Sequence, residues 1–150
     1  MLNLYRFLNV IDAEDVKLLD RSKYAEYDAG MWLSPVGDAD QNWTMSASAT
    51  VSTDDSTRLA KLVWMEKNRT DARAVGKMTV IRGGGLRGKT NLFIAADGAG
   101  MTVGKELTLK LDVDGVVKLG LAGVGDIVKA VVFMAPGIDA EGLLHFELVD

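Results

Sequence analysis

The chain has 150 residues, 48% of them hydrophobic and 25% charged, with a formal net charge of −4. That is the size of one domain with a real core, too apolar for a disordered chain and too acidic for general nucleic-acid affinity. The absence of cysteine excludes disulfides, thiolate metal sites and cysteine nucleophiles, and the single histidine, His145, argues against a His-based triad or a multi-His metal site.

No stretch approaches the roughly 18 uncharged apolar residues that a bilayer-spanning helix needs, so a soluble protein is expected. The opening Met1 to Asp12 is apolar in flavour but has no basic n-region and no unbroken apolar h-region, and is not read as a signal peptide. The sequons at Asn42-Trp43-Thr44 and Asn68-Arg69-Thr70 therefore carry no expectation of glycosylation.

In chain order, Leu2, Leu4, Phe7, Leu8, Val10 and Ile11 form an apolar arm, and Asp12 is placed to cap a short helix that carries Val16 and Leu19 and ends near Ser22. Residues 1–23 read as this arm with its helix, and 24–150 as a β domain. Asp28-Ala29-Gly30 turns into a short strand at Met31-Trp32-Leu33, stopped by Ser34-Pro35. From Trp43 to Thr50, apolar and hydroxyl residues alternate with the period of a half-buried strand. A polar loop follows over Ser52 to Ser56, then a strand is favoured over Leu59 to Glu66.

Lys77 to Arg82 reads as a strand, Gly83 to Gly88 as a glycine loop, and Thr90 to Ala95 as the next strand. The plainest unit is a β-hairpin: Leu107, Leu109, Leu111 and Val113 alternate with Thr108, Lys110 and Asp112, Asp114-Gly115 supplies the turn, and Val117, Leu119 and Leu121 return. Strands over Ile127 to Met134 and Leu144 to Leu148 complete the chain. Short strands at regular spacing with glycine turns point to a mainly β fold, an antiparallel β-barrel or sandwich.

Gly83-Gly84-Gly85-Leu86-Arg87-Gly88-Lys89-Thr90 matches the G-x-x-x-x-G-K-[ST] string of phosphate-binding loops. That chemistry needs the Lys-Thr pair to open a helix whose amides cradle the phosphates, and a later strand to bring a carboxylate to magnesium. Asn91 to Ala96 and the glycines after it do not sustain such a helix, so a basic hairpin tip is the favoured reading. Asp112-Val113-Asp114-Gly115 opens like a calcium loop but lacks the third acidic position and the distal Glu, and reads as a turn. Asp12, Glu14 and Asp15 suit the first turn of the expected helix. His145 falls on the polar parity of its strand, and Trp32, Trp43 and Trp64 are expected in the core or at subunit contacts, with no basic stripe among them.

From Ala72 to Ala96 there is no acidic residue, while Arg73, Lys77, Arg82, Arg87 and Lys89 all fall there. The stretch reads as a solvated loop, with an acidic protein surface as the sharper alternative.

The order of these features resembles the small β-barrel decoration, or cement, proteins of tailed-bacteriophage capsids. The likeness is carried by the apolar N-terminal arm, Tyr27-Asp28-Ala29-Gly30-Met31-Trp32-Leu33, Val63-Trp64-Met65-Glu66, Val80-Ile81-Arg82-Gly83-Gly84 through Lys89-Thr90-Asn91-Leu92-Phe93, Val103 to Thr108, and the Asp114-Gly115 and Gly125-Asp126-Ile127-Val128 turns. It covers residues 24–149 as a pattern. The resemblance implies a β-tulip-like barrel and a non-enzymatic virion structural protein, made in the host bacterial cytoplasm and carried on the outer capsid surface. Such a protein bridges major capsid protein subunits and stabilises the shell.

The implied partners are the major capsid protein and the chain itself, as a homotrimer or dimer. No cofactor, metal, nucleic acid, membrane or small-molecule substrate is expected. The candidate interface residues are Leu4, Tyr5, Phe7 and Leu8, whose arm would add a strand to a neighbouring sheet edge, and Arg82, Arg87 and Lys89, which would meet acidic capsid surface. The alternatives are a phage tail or head–tail connector protein, a P-loop-like nucleotide-binding protein acting through Gly83 to Thr90, and a carbohydrate-binding head fibre that would need Trp32 and Trp43 exposed together.

Overall fold

A computed structural model describes residues 2–6, 12–64 and 77–150. The fold is mainly β. Its strands are β1 (Leu2–Arg6), β2 (Asp12–Leu18), β3 (Trp32–Pro35), β4 (Asn42–Thr44), β5 (Lys61–Val63), β6 (Lys77–Arg82), β7 (Arg87–Thr90), β8 (Glu106–Leu111), β9 (Val117–Leu121), β10 (Ala130–Met134) and β11 (Leu144–Leu148). Single 3-10 turns lie at Arg21–Glu26, Asp55–Leu59 and Ala95–Gly100.

The expected barrel forms, with an open sheet packed beside it. Five strands close into a barrel in the order β2-β4-β3-β5-β6, and six form an open sheet in the order β1-β7-β11-β10-β8-β9. Pairing is antiparallel except between β2 and β4. The barrel is lined by Val16, Leu18, Leu33, Val63, Met78 and Val80. The alternate residues Trp32, Leu62 and Ile81 leave the barrel and pack on Leu107, Leu109, Phe146 and Leu148 of the open sheet, so the main core lies between barrel wall and sheet. Each of these side chains, once buried, contributes roughly 1.5–3 kcal/mol.

The short helix expected from Asp12 to Ser22 is instead strand β2. Glu14, Val16 and Leu18 share one parity and pair with Val80, Met78 and Trp43 on β6 and β4, so period-two burial across two neighbours outweighs the acidic start that suggests a helix. Asp12, Glu14 and Asp15 consequently serve no helix dipole. Of the strand expected over Trp43 to Thr50 only β4 forms. Beyond it Ser48 N–H donates to Ser46 Oγ (3.3 Å) and Thr50 N–H to Ser48 Oγ (3.2 Å), local hydroxyl bonds that compete with a ladder.

Leu59 belongs to the 3-10 turn ahead of β5 rather than to the strand, and Met65 and Glu66 lie outside the described residues. The strand expected over Thr90 to Ala95 is shifted toward the N-terminus, into the supposed glycine loop. Gly88 of β7 is buried between Leu4 and Phe146, and Thr90 Oγ1 ends the strand by accepting from Leu92 N–H (3.0 Å). Likewise β10 begins at Ala130, not Ile127. The hairpin β8–β9 forms as expected, with Gly115 at φ +78 in its turn.

Candidate functional site

The N-terminal arm residues Leu4 and Tyr5 lie in β1, which pairs antiparallel with β7 of the same chain and is the outermost strand of the open sheet. Phe7 and Leu8 lie outside the described residues. The opposite edge strand, β9, is engaged on its outer side: Ile94 N–H donates to Leu119 O (2.8 Å) and Leu119 N–H to Leu92 O (3.3 Å). The two edges thus differ, one capped by its own chain and one with β7 as its partner among the described residues.

Arg82, Arg87 and Lys89 do not form a basic tip. Arg82 ends β6 opposite Asp12, whereas Arg87 and Lys89 sit in β7 on the outer face of the open sheet. There β11 and the loop before it supply counter-charges: Arg87 Nε donates to Glu147 Oε2 (2.5 Å) and its guanidinium lies 3.9 Å from the Phe133 ring centre, while Lys89 Nζ lies 3.6 Å from Glu141 Oε1 of the loop. Within this chain, Glu147 and Glu141, both distant in sequence, pair with Arg87 and Lys89. Arg73 lies outside the described residues.

A bulge between Val132 and Met134 sets Phe133 and Met134 together opposite His145. With Lys89 they line a shallow depression of about 300 Å³. His145 Nε2 and Asp139 Oδ2 are 2.5 Å apart, which ties the loop before β11 to that strand. The imidazole bond, followed by the Glu141 N–H, holds the Asp139 carboxyl below its ordinary 3.8.

Three strings with chemical overtones take structural roles. Lys89 and Thr90 lie in a strand instead of opening a helix, and the amides of Gly83 and Gly85 donate to Asp150 O (3.1 Å) and Leu148 O (2.9 Å). The glycines thus cradle the chain's own last residues: a Cβ at Gly84 would lie 3.2 Å from Val149 O. Asp112 and Asp114 each place a carboxylate oxygen 2.7 Å from Lys118 Nζ, so an ammonium occupies the place a cation would take. Lys118 and the neighbouring backbone amides lower both carboxyls. Among the described residues no group of His, Asp and Glu is arranged to hold a metal. Trp32 is buried at 3% exposure, so Trp32 and Trp43 do not form an exposed pair, and it is Trp64 that reaches the surface at 45%.

Two lysines that the sequence does not single out are buried. Lys61 reaches Glu14 across β6 and lies 5.9 Å from the Trp43 ring centre. Lys129 lies 5.8 Å from the Trp32 ring centre, donates to Arg58 O (3.3 Å) and meets Asp150 Oδ1 at 3.5 Å. Desolvation lowers its pKa, only partly offset by Asp150. The groups that meet them, Glu14 for Lys61 and Arg58 and Asp150 for Lys129, are distant in sequence.

The surface also carries β-branched residues at turn tips. Val113 in the β8–β9 turn and Val124 in the turn after β9 are fully exposed, and Val103 is 71% exposed. Val113, expected on the inward parity of the hairpin, stands beyond the end of β8 and is released into solvent. No family model, curated protein or solved structure matches this chain.

Proposed function

We propose that this protein is a non-enzymatic structural component of a tailed-phage virion that binds the outside of the capsid, as a homotrimer or dimer, and stabilises the shell by bridging major capsid protein subunits. The observation that supports this reading best is the asymmetry of the open sheet. It is fixed to a closed barrel along one face and capped by its own chain at β9, while β1 stands at the other edge. A strand edge offers a row of backbone donors and acceptors to an extended segment of a neighbour, with alternate side chains for specificity. Leu4 and Tyr5 lie in this edge strand. A multivalent oligomer converts a modest contact of this kind into tight attachment through effective concentration.

The test is co-sedimentation of the purified protein with capsids that lack it. Saturable binding at a fixed ratio to the major capsid protein is expected, weakened by Tyr5→Asp in β1. Failure to bind, together with self-assembly into long tubes, replaces this reading with the tail-protein alternative.

A further inference from the structure

We propose that residues 148–150 form a charge-keyed strap across the seam between barrel and open sheet, closed by the Asp150 carboxylate on the buried ammonium of Lys129 and opened when that ammonium loses its partner. The backbone sets the strap in a slot. On one side Leu148 N–H donates to Leu86 O (2.9 Å), Gly85 N–H to Leu148 O (2.9 Å) and Gly83 N–H to Asp150 O (3.1 Å). On the other, Val149 N–H donates to Lys129 O (3.2 Å). The first side is the link from β6 of the barrel to β7 of the open sheet, and Lys129 stands directly before β10. The strap therefore runs where the two halves are joined, and at Gly84, where a Cβ would lie 3.2 Å from Val149 O, the fit is close.

The Lys129 side chain carries the contact on into the barrel. Its Nζ donates to Arg58 O (3.3 Å), in the 3-10 turn before β5, and lies 5.8 Å from the ring centre of Trp32 in β3. Asp150 Oδ1 is the anion that meets it, at 3.5 Å. The two members of this pair differ in exposure, the lysine side chain at 3% and the aspartate at 55%. Desolvation disfavours the ammonium, Asp150 offsets part of that cost, and the nearby Arg82 adds to it.

A half-exposed carboxylate gains little from an ion pair on its own account. A buried ammonium stripped of its counter-charge, by contrast, carries a large penalty. The charge of Asp150 therefore matters to the strap through Lys129. Without it the ammonium regains water by moving toward the exposed side, where the strap lies, so strap and lysine open together and release the Gly83 and Gly85 amides. The strap is a property of the free chain and stands whether or not the protein binds capsids.

Native-state amide exchange of the free protein, followed by NMR, tests it. Asp150→Asn keeps the shape and removes the charge. It should speed exchange at Gly83, Gly85 and Val149 about tenfold or more, while the amides of the barrel strands β2 and β6 keep their protection. Adding Lys129→Met to Asp150→Asn takes away the stranded ammonium and should return the three amides close to their original rates. Unchanged exchange in Asp150→Asn would overturn the strap, because the carboxylate would then hold nothing. Equally fast exchange in the single and double variants would overturn it too, by making the effect independent of Lys129. Acceleration that reaches the barrel amides by the same factor would replace a local opening with a general loss of stability.

Discussion

The barrel and the open sheet solve the same problem of strand edges in opposite ways. In the barrel each of the five strands has two neighbours, so its backbone is fully committed and its lining of Val16, Leu33, Val63, Met78 and Val80 serves only itself. The open sheet buries one face on the barrel wall and, among the described residues, keeps its β1 edge, its turn tips and its outer face. The exposed valines and the β1 edge belong to this half, whereas the barrel acts as the mount that holds it.

The strongest way to break the comparison is to separate the two halves. Phe146 is fully buried in β11 and belongs to the core shared with Trp32, Leu62 and Ile81 of the barrel wall. Phe146→Ala should cost about 3–5 kcal/mol, read as a lower midpoint in urea, with one transition for both halves. Two separated transitions would show that the barrel stands without the sheet. Next in size is Gly120→Ala in β9. The added Cβ would meet Lys110 Cδ at 2.6 Å and Asp97 Oδ2 at 2.9 Å, and Asp97 also holds Leu121 N–H and Lys110 Nζ. A loss of about 1–3 kcal/mol is expected, with faster amide exchange in β9 than in the barrel strands.

How much of this was legible in the sequence divides along the same line. The β8–β9 hairpin could be read directly because period-two leucines flank an Asp-Gly turn, all of it local. The strand β2 could not, since Asp12 to Asp15 looks like a helix start until Val80 and Lys61 are brought beside Glu14 by the closure of the barrel. The same holds for the candidate site. Arg87 and Lys89 look like a basic tip because Glu141 and Glu147, which neutralise them, lie more than fifty positions away. The glycines of Gly83 to Gly85 look like a phosphate loop because Leu148 and Asp150, whose carbonyls their amides bind, are distant in sequence. Turn chemistry and alternation are written locally, whereas burial, charge pairing and close backbone approach are decided by partners distant in sequence.

A smaller effect sharpens the contact between the halves at Lys129, beneath Asp150 and beside Trp32. Replacing a buried ammonium with an apolar chain of similar length is often neutral or favourable, so Lys129→Met should leave stability unchanged or raise it by about 1 kcal/mol. The pH dependence has a definite sign. The folded pKa lies below the ordinary 10.5, so the unfolded chain binds the extra proton, and stability rises with pH between those two values. The advantage of Lys129→Met should therefore shrink as pH approaches 10.5, and thermal melts of both proteins across that range check it. A constant gap would mean that the ammonium is well solvated in the fold.

The smallest effect concerns the outer face, where His145 holds the loop before β11 through Asp139. The Asp139 carboxyl is lowered first by that imidazole and then by the Glu141 amide. Its contribution to stability is present above the ordinary 3.8 and is lost as pH falls through the lower folded value. His145→Ala removes the larger cause and leaves the amide bond, so the Asp139 carboxyl titration, followed by NMR, should move up toward 3.8 while the barrel signals stay in place. An unmoved titration would assign the shift to the Glu141 amide alone. The loop would then be held by its own backbone bond from Gly142 N–H to Asp139 O (2.9 Å), and the outer face of the sheet would need no side-chain clasp to keep its shape.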